Sequence, residues 1–93
     1  MKLFDWNEEK NAWLQVERNI TFEEVVYWIM RDGLLDILEH PNKKRYPNQR
    51  IFIVNIDDYA YIVPFVEDVD RVFLKTIIPS RKMTSKYLRT KSK

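Results

Sequence analysis

Apolar residues recur at intervals of three and four along the first third of the chain, which is the spacing of a helix. The clearest start signal is a capping box, in which Thr21 and Glu24 have the spacing that satisfies two free backbone N–H groups. Ile20 and Val25 flank this box as a hydrophobic staple. We therefore predict a helix that begins after Thr21 and that Gly33 terminates.

A second helix is predicted upstream of this one, from Asp5 or Asn7 to about Arg18. Glu8 and Glu9 would lie in its first turn, where the helix dipole favours negative charge. Few apolar residues mark its inner face, so this prediction depends mainly on the signals at its ends.

The pattern changes to that of strands after the second helix. Residues 51–56 are almost continuously apolar, as in a central strand that is covered on both faces. Asp57-Asp58 and residues 67–70 predict tight turns, and Pro64, which has no N–H to donate, is expected at a sheet edge or a bulge. The predicted strands are residues 34–38, 51–56, 59–66 and 71–78.

The last predicted element is a helix over residues 81–93, which Ser80 can cap. Met83 and Tyr87 are four positions apart, so one face of this helix can pack while its basic face stays in solvent. The predicted fold is a single α+β domain over residues 1–93. It has two N-terminal helices, an antiparallel meander sheet of three to four strands and a C-terminal helix.

Composition narrows the class of protein. Hydrophobic residues make up 45% of the chain, which is enough for one dense core and too many for a disordered protein. The chain has no cysteine, so disulfides and thiolate metal sites are excluded. No apolar run resembles a membrane span or a signal peptide, so we expect a soluble, cytoplasmic protein with no membrane partner.

The net charge of +2 conceals two unequal halves. Residues 1–40 contain nine acidic and four basic residues, whereas residues 41–93 contain five acidic and twelve basic residues. This division favours one surface that is directed at a polyanion. The alternative is that the charges only solvate whichever face carries them.

Three short motifs resemble those of the BrnT-like toxins. Phe-Asp-Trp-Asn at residues 4–7, followed by two glutamates and a lysine, is similar to the family's Phe-x-Trp-Asp/Asn-x-x-Lys start. Ile-Thr-Phe-Glu-Glu-Val at residues 20–25 resembles the opening of its second helix. Thr-Ile-Ile-Pro-Ser-Arg-Lys at residues 76–82 is similar to the segment that enters its last helix. The motifs occur in the family's order and span nearly the whole chain.

The resemblance implies a RelE-like fold and a toxin of a type II toxin–antitoxin system, which is a metal-independent endoribonuclease. Its partners would be RNA, such as mRNA on the ribosome, and a small neutralising antitoxin, often of the ribbon-helix-helix type. The family commonly has His-Gly after its first helix, whereas this chain has Arg18-Asn19, so a histidine is missing there. Two other functions remain open: a nucleic-acid-binding module without catalysis, and a toxin-like protein that acts on a protein target such as gyrase.

The residues are compatible with RNA cleavage by the adjacent 2′-hydroxyl, which needs no cofactor. The chain has no glycine-rich phosphate loop, no nucleophile elbow and no paired histidines, so we expect neither a metal nor another cofactor. Cleavage then requires a proton acceptor, a proton donor and cations that stabilise the phosphorane. The candidate catalytic residues are Arg81, Lys75, Arg50, Tyr87 and His40.

Each of these candidates has a proposed role, and four of them also have a structural alternative. Arg81 would stabilise charge where the third strand enters the last helix, with Arg50 or Lys75 as a second cation. Tyr87 would act as an acid or stack on a base, and His40 supplies the one side-chain type that titrates near neutrality. The alternatives are solvent exposure for Arg81, Lys75 and His40, and packing against the sheet for Tyr87.

Contacts to RNA are predicted for two basic segments. One is a loop in which three consecutive basic residues precede a tyrosine, which suits phosphate contact and base stacking, although a plain solvated loop would look the same. The other is the last helix. The candidate RNA-binding residues are Lys43, Lys44, Arg45, Tyr46, Lys82, Lys86 and Arg89. Trp13 and Trp28 are expected to be partly exposed, as a surface for an antitoxin.

Overall fold

The computed structural model describes residues 2–89. Within this range the chain has three helices and six strands and is an α+β protein, as predicted. In chain order the elements are β1 (Leu3–Trp6), α1 (Glu8–Arg18), α2 (Phe22–Ile29), β2 (Leu34–Glu39), β3 (Gln49–Ile56), β4 (Tyr59–Glu67), β5 (Arg71–Leu74), β6 (Ile78–Pro79) and α3 (Arg81–Leu88). No helix in the described range is long and apolar enough to cross a membrane. Residues 90–93, which the predicted last helix included, lie outside that range.

The strands form one mixed sheet in the order β1-β5-β4-β3-β2, and β6 pairs with β4 beyond the end of β5. The strands β2 to β5 are antiparallel neighbours in chain order, which is the predicted meander. β1 lies at one edge and runs parallel to β5, with Leu3 opposite Arg71 and Trp6 opposite Leu74. The prediction of a purely antiparallel sheet of three to four strands is therefore wrong in two respects. The described sheet has six strands, and the pairing of β1 with β5 is parallel.

The strand β1 is the element that the sequence pattern missed. Of the two predicted starts of the first helix, Asn7 is confirmed and Asp5 is wrong, because α1 begins at Glu8 and the chain before Asn7 is an extended strand. Asn7 caps α1, since its side-chain oxygen accepts a hydrogen bond from the backbone N–H of Lys10 at 2.9 Å. A strand of four residues has no periodic signature of its own, and its ladder depends on a partner near the other end of the chain.

The strand predicted over residues 71–78 is divided into β5 and β6. Pro64 of β4 lies opposite the gap, and its carbonyl oxygen accepts the backbone N–H of Lys75 at 2.8 Å. The nitrogen and oxygen of one residue point to the same side of a strand, so the Pro64 nitrogen also faces this gap. Its missing N–H therefore costs no hydrogen bond to β3. Pro64 lies in a central strand, at a break in the ladder, and not at an outer edge of the sheet.

The predicted starts of the second and third helices are confirmed. The Thr21 side chain accepts from the backbone N–H of Glu24 at 3.2 Å, and the Glu24 carboxylate accepts from the backbone N–H of Thr21 at 2.9 Å. Ile20 and Val25 are both buried in the same core cluster, as a hydrophobic staple requires. Ser80 caps α3 by accepting from the backbone N–H three residues later, at 3.1 Å.

The helices cover opposite faces of the sheet, and strand alternation decides which side chains each helix meets. Phe52 and Val54 of β3 point toward α1 and α2, which cover the larger core cluster. Ile51 and Ile53 point the other way, into a smaller cluster that α3 covers. The α3 side chains in that cluster are Met83, Tyr87 and Leu88. The predicted central strand is thus confirmed, since β3 is apolar because both of its faces are buried.

Gly33 lies in the turn between α2 and β2. The prediction that Gly33 terminates the helix is wrong, because α2 ends at Ile29 with Met30 as its C-cap. The left-handed residue of this turn is Asp32, with φ 67°. Gly33 is needed because a Cβ there would lie 2.6 Å from the Trp28 carbonyl oxygen and 2.9 Å from that of Asn55. Its own N–H and C=O bond the Trp28 oxygen and the Asn55 N–H, each at 2.7 Å. The glycine therefore allows the end of α2 to approach β3 closely.

We expect Gly33→Ala to lower the free energy of unfolding by about 1–3 kcal/mol, because the added methyl group forces two backbone segments apart. The neighbouring Asp32→Gly should change it by no more than about 0.5 kcal/mol or raise it, since glycine adopts a positive φ without strain. Urea titration of both variants measures the difference. Equal stability of the two would show that the close approach at Gly33 does not constrain the fold.

The turn between β3 and β4 is the predicted tight hairpin turn. Asp57 and Asp58 have φ 53° and φ 69°, and positive values at both central residues are those of a type I′ turn. The Asn55 side-chain oxygen accepts from the backbone N–H of Asp58 at 2.9 Å and stabilises this conformation. Type I′ turns favour asparagine followed by glycine, so the aspartate pair is a strained choice for the position.

We expect the double variant Asp57→Asn, Asp58→Gly to raise the free energy of unfolding by roughly 0.5–1 kcal/mol, because it relieves the left-handed strain and removes adjacent like charges. Asp68→Gly is the contrasting variant, since the Asp68 side chain accepts two backbone N–H groups in the next turn and its loss should destabilise. Denaturant midpoints measure both. A destabilised double variant would contradict the assignment of the turn type.

Candidate nucleic-acid interface

The sheet separates the acidic part of the chain from the basic part. The helices α1 and α2, on one face, carry five glutamates and two basic residues. The helix α3, on the other face, and the β2–β3 loop (residues 40–48) together carry six basic residues and no acidic one. These six are Lys43, Lys44, Arg45, Arg81, Lys82 and Lys86, and all are exposed. The two halves of unequal charge thus become two sides of the molecule.

Part of the sheet on the α3 side remains uncovered. Val66 lies opposite Gln49 on β3 and opposite Phe73 on β5, and all three are only half-buried. They share a face with Ile51 and Ile53, but the buried cluster under α3 does not include them. We call Gln49, Val66, Phe73 and the adjacent Lys75 the open face.

A depression of about 230 Å³ forms where the β2–β3 loop meets the open face. Its lining residues are Tyr46, Pro47, Asn48, Gln49, Val66 and Lys75. Cations lie over aromatic rings here: the Lys75 ammonium is 5.7 Å from the centre of the Phe73 ring, and the Arg45 guanidinium is 5.6 Å from that of Tyr46. Interleaved cations and aromatic faces can contact phosphates and stack on bases.

His40 packs beside this depression, with its ring centre 4.5 Å from that of Tyr46. Its Nδ1 accepts a hydrogen bond from the backbone N–H of Asn42 at 3.0 Å. This bond requires an unprotonated Nδ1, so the proton of the neutral ring is on Nε2. The nitrogen that is not used within the loop can therefore donate a hydrogen bond.

Tyr87 fixes α3 to the edge strand β2. Its hydroxyl donates to the Asp36 carboxylate at 2.5 Å. This hydrogen bond, with a second one from the backbone N–H of Ile37, holds the pKa of Asp36 below its usual range. The same bond raises the pKa of Tyr87, with desolvation adding to the effect. The Tyr87 hydroxyl thus makes a structural hydrogen bond. Its ring packs against the sheet, which is the alternative that the sequence analysis gave for this residue.

Arg50 lies on the face opposite to Lys75. Its guanidinium forms an ion pair with Glu67, which also pairs with Lys2, and it lies 5.3 Å from the centre of the Phe65 ring in the main core. Hydrogen bonds from Lys2 and Arg50 lower the pKa of Glu67. The structure therefore does not bring Arg50 and Lys75 together, because successive residues of a strand face opposite ways.

Arg81 is exposed in the first turn of α3, and Lys82 follows it. The backbone N–H of Ser80 donates to the Ala60 carbonyl, whereas Lys75 lies opposite Pro64, four residues further along β4. That separation is roughly 13 Å along the strand. Lys75 and Arg81 thus lie on the same side of the sheet, but they are far enough apart to contact different parts of an RNA chain.

Arg18 is the last residue of α1. Its guanidinium donates to the Ile77 carbonyl at 2.6 Å and lies 5.2 Å from the centre of the Trp13 ring. Asn19 follows in a left-handed conformation, φ 56°, which is the conformation that a glycine adopts readily. Arg18 therefore joins α1 to the segment between β5 and β6. Of the two tryptophans expected to be partly exposed, Trp13 is 44% exposed and Trp28 is half-buried.

Sequence reasoning missed Gln49 and Phe73 as members of the interface. The signal that could have identified Gln49 was the alternation of side chains along a strand. Gln49, Ile51 and Ile53 are spaced by two residues and so lie on one face, of which Gln49 is the polar member. Phe73 carries no such signal, because an aromatic residue in a predicted strand is equally suited to the core. Among residues 2–89 no group of three or more histidine, cysteine or carboxylate side chains could hold a metal ion.

Comparison with known proteins adds no relative. No protein-family model matches this chain. No curated protein and no solved structure matches it significantly. The function is therefore argued from the open face and its surroundings.

We expect Tyr87→Phe to lower stability at neutral pH and to have less effect in acid. The depressed pKa of Asp36 means that its contribution is present above the ordinary aspartate pKa of about 4 and is lost as pH falls through the folded value. The raised pKa of Tyr87 means that its contribution is present below about pH 10 and is lost as pH rises through the folded value.

The measurement is urea unfolding of wild type and Tyr87→Phe between neutral pH and pH values below about 4, where the difference should narrow. Tyr27→Phe is the matched control, because within residues 2–89 the Tyr27 side chain makes only ring contacts, with Trp28 and Arg31. Its substitution should not alter the pH profile. A constant gap between wild type and Tyr87→Phe would exclude a contribution from the ionised Asp36.

Proposed function

We propose that the protein is a toxin that binds single-stranded RNA on the open face and cleaves it without a metal ion. The observation that supports this best is the depression beside Tyr46 and Lys75, where the open face, the basic loop and the side of the sheet that carries α3 meet. A RelE-like fold belongs to the same proposal, and the antiparallel meander with two helices before it and one after it agrees with it in kind.

Binding would use two kinds of contact. Lysines and arginines of the loop and of α3 would neutralise phosphates, which makes the affinity fall with rising salt. Tyr46 and Phe73 offer ring faces to unpaired bases, which a duplex would keep stacked and out of reach. The acidic helices α1 and α2 lie behind the sheet and would repel RNA from that side.

Cleavage would proceed by attack of the 2′-oxygen on the adjacent phosphorus, which breaks the bond from phosphorus to the 5′-oxygen and forms a 2′,3′-cyclic phosphate. The 2′-hydroxyl proton would pass to a solvent water, and the released 5′-oxygen would take a proton from water. Lys75 would stabilise the charge of the phosphorane. Arg81, farther along the same side of the sheet, would hold another phosphate of the strand. The Nε2–H of His40 would donate a hydrogen bond to a phosphate oxygen and so help to stabilise the phosphorane charge. Tyr87 receives the role of positioning α3, because its hydroxyl is bonded to Asp36. Arg50 receives no catalytic role, because it pairs with Glu67 on the other face.

RNA binding without cleavage is the second candidate function, and three hydrogen bonds favour it. The Nδ1 of His40, the guanidinium of Arg50 and the hydroxyl of Tyr87 are each already engaged with a group of the protein. Three of the five candidate catalytic groups thus have structural partners. A binding protein needs only the exposed cations and the aromatic faces.

A small antitoxin is the second partner in the toxin proposal. If it exists, a short reading frame beside this gene should encode it, and its co-expression should relieve any toxicity. Its ribbon-helix-helix type is the one that the resemblance implies.

We expect induction of the wild-type chain in a bacterial host to arrest growth and to fragment RNA. Lys75→Ala should reduce RNA cleavage about a hundredfold, the usual loss when one stabilising donor at a developing charge is removed. Arg81→Ala should instead weaken RNA binding and raise KM, because Arg81 contacts a different phosphate. Lys10→Ala is the matched control, because Lys10 lies on α1, on the acidic side, over the Trp13 ring. It should arrest growth like wild type.

Growth rate, total RNA on gels and protein level are measured for all four chains. Arrest with intact RNA would contradict the ribonuclease proposal and would indicate a protein target. Absence of arrest, with salt-dependent RNA binding by the purified protein, would support the second candidate. Equal toxicity of Lys75→Ala and wild type would remove the open face from the proposal.

A further inference from the structure

The strand β1 is one edge of the sheet, since no strand among residues 2–89 lies on its outer side. The Leu3 N–H donates to the Asp70 carbonyl at 2.9 Å, so the backbone groups of Leu3 and Asp5 point toward β5. Those of Phe4 and Trp6 therefore point outward. The Trp6 N–H donates to the Asp5 carboxylate at 2.9 Å. Phe4 is thus the residue of β1 that offers both of its backbone groups to another strand.

The charges at this edge are balanced within the molecule. Lys2 forms an ion pair with Glu67, and Asp5 pairs with Arg71 at 2.8 Å. Edge strands are usually protected from pairing by proline, bulges or unpaired lysines, but β1 has no proline and an uninterrupted register with β5. The edge therefore does not repel an identical edge, whereas a strongly charged partner would find little to complement there.

An apolar groove of about 520 Å³ lies beside this edge, between β1 and the end of α2. All but one of its lining residues are apolar, and these are Leu3, Phe4, Trp6, Val26, Met30 and Val72. Leu3 is 64% exposed and Met30 is 58% exposed. Available backbone groups beside exposed apolar side chains are the features of an edge that accepts another strand.

We propose that two copies of this chain associate through β1, antiparallel to each other, about a two-fold axis at Phe4. Phe4 of each copy exchanges both backbone hydrogen bonds with Phe4 of the other. The two sheets then form one continuous sheet, and the two apolar grooves meet on the side that carries α1 and α2. This inference goes beyond the proposed function, because it concerns a surface to which RNA binding assigns no role.

The register about this axis brings no like charges together. Leu3 lies opposite Asp5 of the other copy, and Lys2 lies opposite Trp6. Residues that are directly opposite on one face are those that interact most strongly across antiparallel strands. Because the axis repeats each pair, every contact at this edge occurs twice in the dimer. A charge placed at Leu3 therefore tests the register.

The association also joins the two open faces. A two-fold axis perpendicular to a sheet leaves the same face of both copies on the same side. Phe73 of the open face belongs to β5, the strand next to the edge. The β5 strands of the two copies are three strand spacings apart, roughly 14 Å. One RNA strand could then contact both copies, a consequence that rests on the proposed function.

The test is sedimentation equilibrium of the wild-type chain, Leu3→Asp and Leu3→Lys. We expect the wild-type chain to dimerise with a Kd of roughly 10–100 µM, because an edge of four residues buries less area than a standard interface. Both variants remove the same exposed leucine and differ in the charge that they place opposite Asp5. The Leu3→Asp dimer should be about tenfold weaker than the Leu3→Lys dimer, because two like-charge pairs replace two opposite-charge pairs.

The net charge of the chain predicts the reverse order, since it is +2 and lysine makes it more basic. Val16→Asp is the matched control, because Val16 is 79% exposed on α1, away from the edge. It should dimerise like wild type. Ile37→Asp, on the other edge strand β2, should do the same. Circular dichroism and urea midpoints of each variant separate these effects from unfolding.

The outcomes also separate this inference from the proposed function. A wild-type chain that stays monomeric up to about 500 µM would overturn the dimer. So would a dimer that both Leu3 variants weaken equally, or one that Ile37→Asp disrupts instead. Selective weakening by Leu3→Asp would establish pairing through β1. A dimer that binds no RNA would overturn the proposed function alone, and RNA binding by a chain that is only monomeric would overturn this inference alone.

Discussion

The β3–β4 ladder is the contact on which the rest of the structure depends. The two strands pair over eight registered positions, from Gln49 opposite Val66 to Ile56 opposite Tyr59. Every other strand attaches to one of them or to β5, and each helix packs on one of their faces. Because both faces are covered, the hairpin must be apolar throughout, and its polar residues are confined to its ends. The candidate interface lies at one of these ends.

Charge segregation follows from the same arrangement. The acidic helices precede the hairpin in the chain and pack on one face, and the basic helix follows it and packs on the other. A sheet of one layer keeps these helices about 10 Å from its midplane on either side, so their fields do not cancel locally. The open face remains because α3, only eight residues long, crosses from β4 toward Asp36 on β2 and leaves the β5 side uncovered.

The sequence predicted correctly those features that depend on interactions between residues close together in the chain. The capping box at Thr21, the cap at Ser80 and the turn at Asp57-Asp58 each depend on residues within a few positions, and each is found as predicted. The parallel pairing of β1 and the close approach that requires Gly33 depend on residues far along the chain. No periodicity encodes such contacts, which is why these features could not be predicted.

The sequence likewise identified some residues of the candidate site and misplaced others. Tyr46 and Lys75 were identified by residue type and prove to line one depression, whereas Arg50 was grouped with them and faces the opposite side. Strand alternation would have separated Arg50 from Gln49, but only once the strand's first residue was known. Boundaries of elements are the weakest part of any prediction from a pattern, and a one-residue error exchanges the two faces of a strand.

Pro64 shows how a constraint on the backbone positions a functional side chain. A proline in a central strand cannot support a continuous neighbour on the side of its missing N–H, so β5 ends and β6 begins opposite it. Lys75 is the first residue after β5, and its N–H bonds the Pro64 carbonyl across this break. The backbone of Lys75 is therefore fixed beside the open face, although the residue is not part of a strand. The irregularity of the sheet and the cation of the proposed RNA site have one physical origin.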